Sequence, residues 1–211
     1  MINENKPVHI VGAGLAGSEC AWQLAQMGFS VKIYEMRNPG PSSTTTEAHK
    51  TAHFAELVCS NSLGSQTDYS APGQLKWEAE QMNSLVLSSA KKFNVPAGMA
   101  LAVDRERFSK HITETLRNHP LIEVIDQVVE KLSDIPRPAV IATGPLTHST
   151  LALDLKNHFD DEFLYFFDAI APVIDTDSIQ TEIAFKADRF GKGHQDYYNC
   201  GMNLGLSLIN I

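Results

Sequence analysis

The feature that most constrains the fold is a glycine-rich turn that follows directly on a short apolar run near the start of the chain. The run is residues 8–11, and the turn reads Gly12-Ala13-Gly14-Leu15-Ala16-Gly17. After the turn, the spacing of Ala21 and Ala25 favours a helix that ends near Gly28. A GxGxxG turn between a buried strand and a helix is typical of the parallel βαβ unit that binds a dinucleotide.

The three glycines of this turn have separate physical roles. Gly12 allows the chain to turn tightly off the strand, and Gly14 leaves room for backbone N–H groups to approach a pyrophosphate. Gly17 allows the helix and the strand to pack closely. Because the positive end of the helix dipole lies at the same place, the turn is predicted to hold the pyrophosphate of a cofactor.

An acidic residue ends the next apolar run. The run is residues 31–34, and Glu35 follows it, roughly 20 residues after the turn, where an acid can accept hydrogen bonds from the adenosine ribose. A carboxylate at this place would repel the 2′-phosphate of NADP. The residues themselves leave FAD and NAD open.

The rest of the chain alternates between strand and helix patterns, which predicts an α/β fold with a parallel sheet. Residues 38–46 are rich in Pro, Gly, Ser and Thr and favour a loop on the cofactor side. Asp104 is expected to cap a helix that carries Phe108, Ile112 and Leu116 on one face. The other expected elements are a short helix at 49–57, a helix at 74–93 with Leu75, Ala79, Met82 and Val86 near helical spacing, and strands at 99–103, 122–125 and 138–142, the last one buried.

Composition narrows the class of protein. The 211 residues are 43% hydrophobic and 20% charged, with a formal net charge of -8, which argues against nucleic-acid binding driven by bulk charge but leaves a local basic patch open. The polar N-terminus does not resemble a signal peptide, and no apolar run is long enough to span a membrane. Three cysteines are not a disulfide framework, so a reducing, cytoplasmic setting is expected, with the cysteines acting as thiols.

Two of the cysteines are candidates for chemistry. Cys20 lies within the first helix and is expected to be a small buried side chain. Cys59 and Cys200 lie among polar residues, and the neighbouring Lys192 and His194 would favour a thiolate at Cys200. From spacing alone, a structural role is more frequent than a catalytic one for either cysteine.

A metal site is a weaker reading of the histidines. His49 and His53 would lie one helical turn apart, with Glu56 nearby, but Lys50 stands where the metalloprotease pattern requires Glu. No metal is therefore expected, and the two histidines are interpreted as lying on a loop-to-helix face.

Seven blocks of sequence, taken together, resemble a known family. The block Ala55-Glu56-Leu57-Val58-Cys59-Ser60-Asn61-Ser62-Leu63 is far more specific than the glycine turn. The chain resembles the folate- and FAD-dependent tRNA (uracil-5-)-methyltransferases, flavoproteins that make ribothymidine in the T-loop of tRNA. The other blocks are residues 11–19, 95–98, 102–105, 141–146, 165–172 and 191–200, all in the expected order.

This resemblance implies a cofactor set and a division of roles. FAD would bind the turn, Glu35 and the strand end Thr143-Gly144, methylenetetrahydrofolate would donate one carbon, and NAD(P)H would be the reductant. A thiolate would add to C6 of uracil so that C5 becomes nucleophilic, and a soft, readily ionised thiolate suits that addition better than a hydroxyl. By the family's motifs, Cys200 is the preferred nucleophile and Cys59 its partner or a general acid, and the partner molecule is the tRNA T-arm.

The chain also departs from the family pattern. Family members are about twice as long, Gly201 stands where proline is usual after the second cysteine, and the apolar tail at 204–211 no longer matches. Residues 1–203 are expected to form the FAD-binding domain, the N-terminal portion of a larger two-domain flavoprotein, with an inserted domain beginning near 170–203. A truncated or frame-shifted gene product is favoured, with a split protein that has a partner chain, or an expressed fragment, as alternatives.

Two rival functions stay open at this point. One is another flavoenzyme of the same fold, such as a glucose-inhibited-division-type tRNA-modification protein or an oxidoreductase, which the paired cysteines and the block around Cys59 disfavour. The other is a non-catalytic nucleotide-binding module or an inactive remnant, which the short length favours.

Overall fold

The computed structural model describes residues 6–37, 46, 48–159, 177, 179–180, 184–187 and, by their backbone, 197–200. It begins with the predicted βαβ unit. Strand β1 (Val8–Val11) leads into helix α1 (Leu15–Gln26), and β2 (Val31–Glu35) pairs in parallel with β1, Val8 opposite Val31. Gly28, with φ +87°, follows the end of α1 and allows the reversal into β2.

Four parallel strands form the main sheet, which confirms the expected α/β fold. The order is β6 (Ile122–Asp126), β2, β1 and β7 (Ala139–Ile141), with Val31 opposite Ile122 and His9 opposite Ala139. The chain therefore builds outward from β1 through β2 to β6 and then crosses to the other side of β1. That arrangement is Rossmann-like and places a switch point between β1 and β7.

Both faces of this sheet are covered, since alternate side chains of a strand point to opposite sides. Ile10 and Ile33 face α1 and helix α4 (Arg105–Arg117), whose buried stripe is the expected Phe108, Ile112 and Leu116. On the other face, Val11 and Tyr34 pack against helix α5 (Ser149–Phe159). The expected cap of α4 is confirmed, because Asp104 Oδ1 accepts a hydrogen bond of 3.1 Å from Arg107 N.

A smaller layer is inserted between β2 and β6. Its antiparallel sheet has the order β3 (Ser62–Ser65), β5 (Ala100–Val103) and β4 (Asn94–Val95). Helices α2 (Ala71–Gln81) and α3 (Leu85–Lys92) connect β3 to β4. A separate antiparallel hairpin joins β8 (Ala184–Ala187) and β9 (Tyr197–Cys200).

The helix expected at 49–57 does not form. Glu56 folds back and accepts hydrogen bonds from the backbone N–H of Lys50 and of Thr51, and Ala55 has φ +51°. Ala55 N donates to Ala13 O at 2.8 Å instead of to a carbonyl four residues earlier. Tertiary contacts have therefore overridden the local helical pattern. His49 and His53 consequently do not lie one turn apart on a helix.

The helix expected at 74–93 is two helices. Asn83, with φ +54°, breaks the pattern, and Ser84 caps α3 by accepting from Leu87 N at 3.1 Å. Of the four apolar residues at the expected spacing, Ala79 and Val86 pack against the core, whereas Leu75 is 66% and Met82 60% exposed. The buried residues are on α3.

Strand β7 forms as expected but is not buried. Ala139 and Val140 are exposed because, within the described part of the chain, β7 pairs on one side only, with β1. The loop expected at 38–46 and the tail at 204–211 lie outside the described residues, apart from residue 46. Of the described helices, none combines the length and the apolar character that a membrane crossing would need.

Candidate functional site

A cleft opens at the carboxyl end of the parallel sheet, outside β1, β2 and β7. Ligands of open α/β sheets bind in this crevice, at the switch point of the strand order. Four of the sequence-predicted cofactor residues line it: Gly12, Gly14, Glu35 and Thr143. The structure thus brings together the glycine turn, the end of β2 and the end of β7, which are far apart in sequence.

The glycine turn is shaped by close backbone approach. Gly12 has φ +96°, and a Cβ on it would lie 2.7 Å from the carbonyl oxygen of Ala142. A Cβ on Gly17 would overlap the carbonyl oxygen of Gly12 and come within 3.3 Å of the Ala142 side chain. These two glycines therefore serve the packing of β1, α1 and the end of β7.

Gly14 is different, because it borders open space. It is the N-cap of α1, and a Cβ there would meet no heavy atom within 4 Å. Within the described part of the chain no side chain caps α1, so the N–H groups that open the helix, on Leu15 and Ala16, have no side-chain acceptor. An uncapped helix N-terminus beside an open glycine fits a pyrophosphate.

The Glu35 carboxylate is buried and fully engaged by the protein itself. Its Oε2 accepts from Ala13 N at 2.8 Å and Arg37 Nη2 at 3.2 Å, and its Oε1 accepts from Arg37 N and Nε. A carboxylate has about four acceptor positions, so all are occupied here. Burial opposes ionisation of Glu35, but the hydrogen bonds and charge of Arg37 outweigh it and hold the pKa of the carboxyl below its ordinary value.

Arg37 is the main site residue that the sequence reasoning missed. Its side chain is 3% exposed, lines the cleft, and lies between Glu35 and Glu56. The signal in the sequence was an arginine two positions after the ribose-side acid. Other cleft residues that sequence reasoning missed are His49, Gln127 and His148.

The segment that carries Cys59 is anchored to the glycine turn. Ala55 N donates to Ala13 O, and Leu57 is buried in the core. Beyond Cys59, Asn61 O accepts from Val103 N at 2.9 Å. Since four residues span at most roughly 14 Å, the backbone of Cys59, whose thiol is exposed, lies no farther than that from Ala55, which is itself bonded to the turn.

The other sequence-predicted residues have mixed outcomes. Thr143 Oγ1 lies 2.6 Å from Thr147 Oγ1, and Gly144 has φ +64°, so the strand end turns sharply at the cleft.

Cys200 ends β9, but its side chain is outside the described residues. Cys20, expected to be buried, is only partly buried against the core, and this burial raises the pKa of its thiol. Across the described ranges, no three His, Cys, Asp or Glu side chains group as metal ligands.

Together the fold and the cleft define a dinucleotide-binding α/β protein of the Rossmann-like class. The chain belongs to the glucose inhibited division protein A family, whose model matches residues 7–207. It is similar to proteins named methylenetetrahydrofolate–tRNA-(uracil-5-)-methyltransferase TrmFO. The one from Bdellovibrio bacteriovorus is 64% identical over 202 residues, which is 96% of this chain and 45% of that protein.

Two further relatives carry the same name. Those from Sulfurihydrogenibium sp. and Brevibacillus brevis are each 52% identical over 92% of this chain and 43% of their own length. These similarities confirm the resemblance that the sequence blocks predict. The chain spans less than half the length of the curated relatives it matches.

Proposed function

We propose that this chain supplies the FAD-binding part of a folate-dependent tRNA (uracil-5-)-methyltransferase. The observation that carries the proposal is the pairing of an open, uncapped helix N-terminus at Gly14 with a thiol segment anchored to the same turn. The printed names of the relatives point to the same activity.

The cofactor role is assigned to the cleft residues. The N–H groups of Leu15 and Ala16 would hold the pyrophosphate, with Gly12, Ala13 and Gly17 shaping the turn and Thr143-Gly144 closing the other side of the cleft. Because Glu35 is saturated by Arg37 and Ala13, its contribution would be to brace the turn, and a ribose hydroxyl would have to share its oxygens. When bound, FAD would supply the carrier of the one-carbon unit from methylenetetrahydrofolate, with NAD(P)H as the reductant.

The chain's own chemistry would come from thiols. A thiolate would add to C6 of the T-arm uracil and place an electron pair at C5, which would bond to the one-carbon unit. Loss of the C5 proton would then expel the thiolate from C6, and a hydride that derives from NAD(P)H would complete the methyl group. Cys59 lies four residues after Ala55, which bonds to the turn, and its thiol is exposed, so it is available to a bulky RNA substrate. Cys200 remains the preferred nucleophile, with Cys59 as its partner or general acid. The reducing cytoplasm remains the proposed setting, in which these thiols stay unpaired.

Cofactor binding gives the first test. The purified chain, mixed with excess FAD and then desalted, is expected to retain the visible absorbance of bound flavin, because the turn and helix N-terminus proposed to hold the pyrophosphate lie in this chain. Absorbance spectroscopy after gel filtration measures it. A colourless protein would contradict an independent cofactor-binding role and would favour the inactive-remnant alternative.

Covalent trapping tests the thiols. A T-arm hairpin with 5-fluorouridine at the target position should form a lasting adduct, because fluorine at C5 cannot leave as a proton does. Cys200→Ala is expected to abolish the adduct and Cys59→Ala to reduce it, while Cys20→Ala, the control at a partly buried thiol, leaves it unchanged. Denaturing gels and mass spectrometry read the result.

Each outcome of the trapping experiment is decisive. Full trapping by the Cys200→Ala variant, with loss in Cys59→Ala, would transfer the nucleophile role to Cys59. If the unaltered chain forms no adduct while it binds FAD, the methyltransferase activity does not reside in this chain by itself.

A further inference from the structure

A buried ionic chain joins the glycine turn to the segment that leads to Cys59. It runs from Ala13 through Glu35 and Arg37 to Glu56. Arg37 Nε lies 2.9 Å from Glu35 Oε1, and Arg37 Nη1 lies 3.8 Å from Glu56 Oε2. The three charged side chains are 3%, 4% and 6% exposed, so each of these contacts is shielded from solvent.

Both ends of this chain are fixed to backbone. At one end Glu35 Oε2 accepts from Ala13 N, inside the turn. At the other end Glu56 accepts from the N–H groups of Lys50 and Thr51 at 2.9 and 3.1 Å, and from Thr51 Oγ1 at 2.7 Å. Arg37 therefore lies between two carboxylates that each organise a different loop.

The geometry requires an arginine. A guanidinium presents N–H groups along two edges, so one edge can hold Glu35 bidentately while Nη1 faces Glu56. Nη1 is buried and makes no hydrogen bond to the described residues, which leaves its attraction to Glu56 as its compensation. A lysine ammonium could attract both carboxylates but could not hold Glu35 through two parallel hydrogen bonds, so it would replace the arginine only in part.

We propose that Arg37 is a positioning residue that holds the segment leading to Cys59 against the glycine turn. A second contact supports this, since Ala55 N donates to the carbonyl of Ala13, the residue whose own N–H Glu35 accepts. The turn and residues 50–56 thus form one unit, and Cys59 is carried at its end. A role of this unit in catalysis rests on the function proposed above, whereas the positioning of residues 50–56 by Arg37 does not.

The test is hydrogen–deuterium exchange on the full 211-residue chain. In Arg37→Met, the amides of Lys50, Thr51 and Ala55 are expected to exchange about tenfold faster or more, while the buried amides of α4 keep their protection. Glu56→Gln leaves the Glu35–Arg37 pair intact and should also raise the exchange rates of these amides. Arg37→Lys should restore protection in part.

A matched control separates this role from general stability. Lys32→Met removes the ion pair between Lys32 on β2 and Glu123 on the neighbouring β6, which is far more exposed than the pair at Arg37, and should leave the exchange of residues 50–55 unchanged. Exchange that rises uniformly over the whole chain in Arg37→Met, or that does not rise at residues 50–55 in Glu56→Gln, would overturn the proposal.

FAD titration of the same variants separates the two proposals. FAD is expected to bind Arg37→Met with a larger dissociation constant than Lys32→Met, because the glycine turn loses the contacts that hold it through Glu35. If the unaltered chain binds no FAD but residues 50–55 still respond to Arg37, the proposed function fails and the positioning role stands. If FAD binds equally well to all variants and exchange is unchanged, the positioning role fails alone.

Discussion

Gly17→Ala is expected to destabilise the chain by about 3 kcal/mol and to abolish FAD binding, because the added Cβ would overlap the carbonyl oxygen of Gly12. That oxygen belongs to the backbone of the turn and cannot rotate away as a side chain would. The methyl group would also press on the Ala142 side chain, 3.3 Å away, at the end of β7. Urea unfolding followed by circular dichroism measures the loss.

Gly14→Ala is the matched control for this prediction. Its added Cβ would enter open space, and its φ of -68° suits any residue, so the fold should lose only about 1 kcal/mol, the usual penalty of alanine at a helix N-cap. The same methyl group would stand where the pyrophosphate approaches, so affinity for FAD should fall at least about tenfold. Equal stability losses in the two variants would show that the turn is not packed as described.

Glu35→Gln is expected to cost about 3–5 kcal/mol at neutral pH, because it removes one partner of a buried ion pair and leaves Arg37 without its bidentate acceptor. The matched control is Glu123→Gln, which breaks the exposed pair with Lys32 and should cost less than about 1 kcal/mol. A cost for Glu35→Gln as small as that of the control would contradict a buried ionic brace.

The same variant has a signature in pH. Since the pKa of Glu35 is lowered in the folded chain, its ionisation stabilises the fold above the ordinary value of 4.5 and the stabilisation is lost as pH falls through the lowered value. The gap in free energy of unfolding between the unaltered chain and Glu35→Gln should therefore narrow below about pH 4.5. Urea titrations between neutral and acid pH measure it, and a gap that widens on acidification would show that Glu35 is not the group being titrated.

Several elements were predictable because their causes are local. Turn, helix and strand fall within about 30 residues, and the positive φ at Gly12 and the close backbone approach at Gly17 are conditions that only glycine meets easily. The cap of α4 was equally local, since Asp104 and the stripe at Phe108, Ile112 and Leu116 lie within one helix. The family resemblance added Cys59 and the strand end at Thr143, which spacing could not have connected.

Other elements required the tertiary structure. The helix expected at 49–57 fails because Glu56 binds the backbone of Lys50 and Thr51 and because Ala55 bonds to a residue 42 positions earlier. The apparent apolar stripe at Leu75 and Met82 faces solvent because the core is already filled from α1, α3 and α4. The spacing of apolar residues indicates which of them share a helix face, but it does not indicate what that face contacts.

The sequence by itself determined that this chain contains a glycine turn of the βαβ type, an acid at the end of the second strand and the cysteine-containing block of one family. Only the tertiary structure decided that these three are joined. Arg37 looks in sequence like an ordinary charged residue after a strand, and its role exists because folding places Glu35 and Glu56 on either side of its guanidinium. Contacts of that kind depend on where two distant loops meet, and short-range patterns carry no information about that meeting.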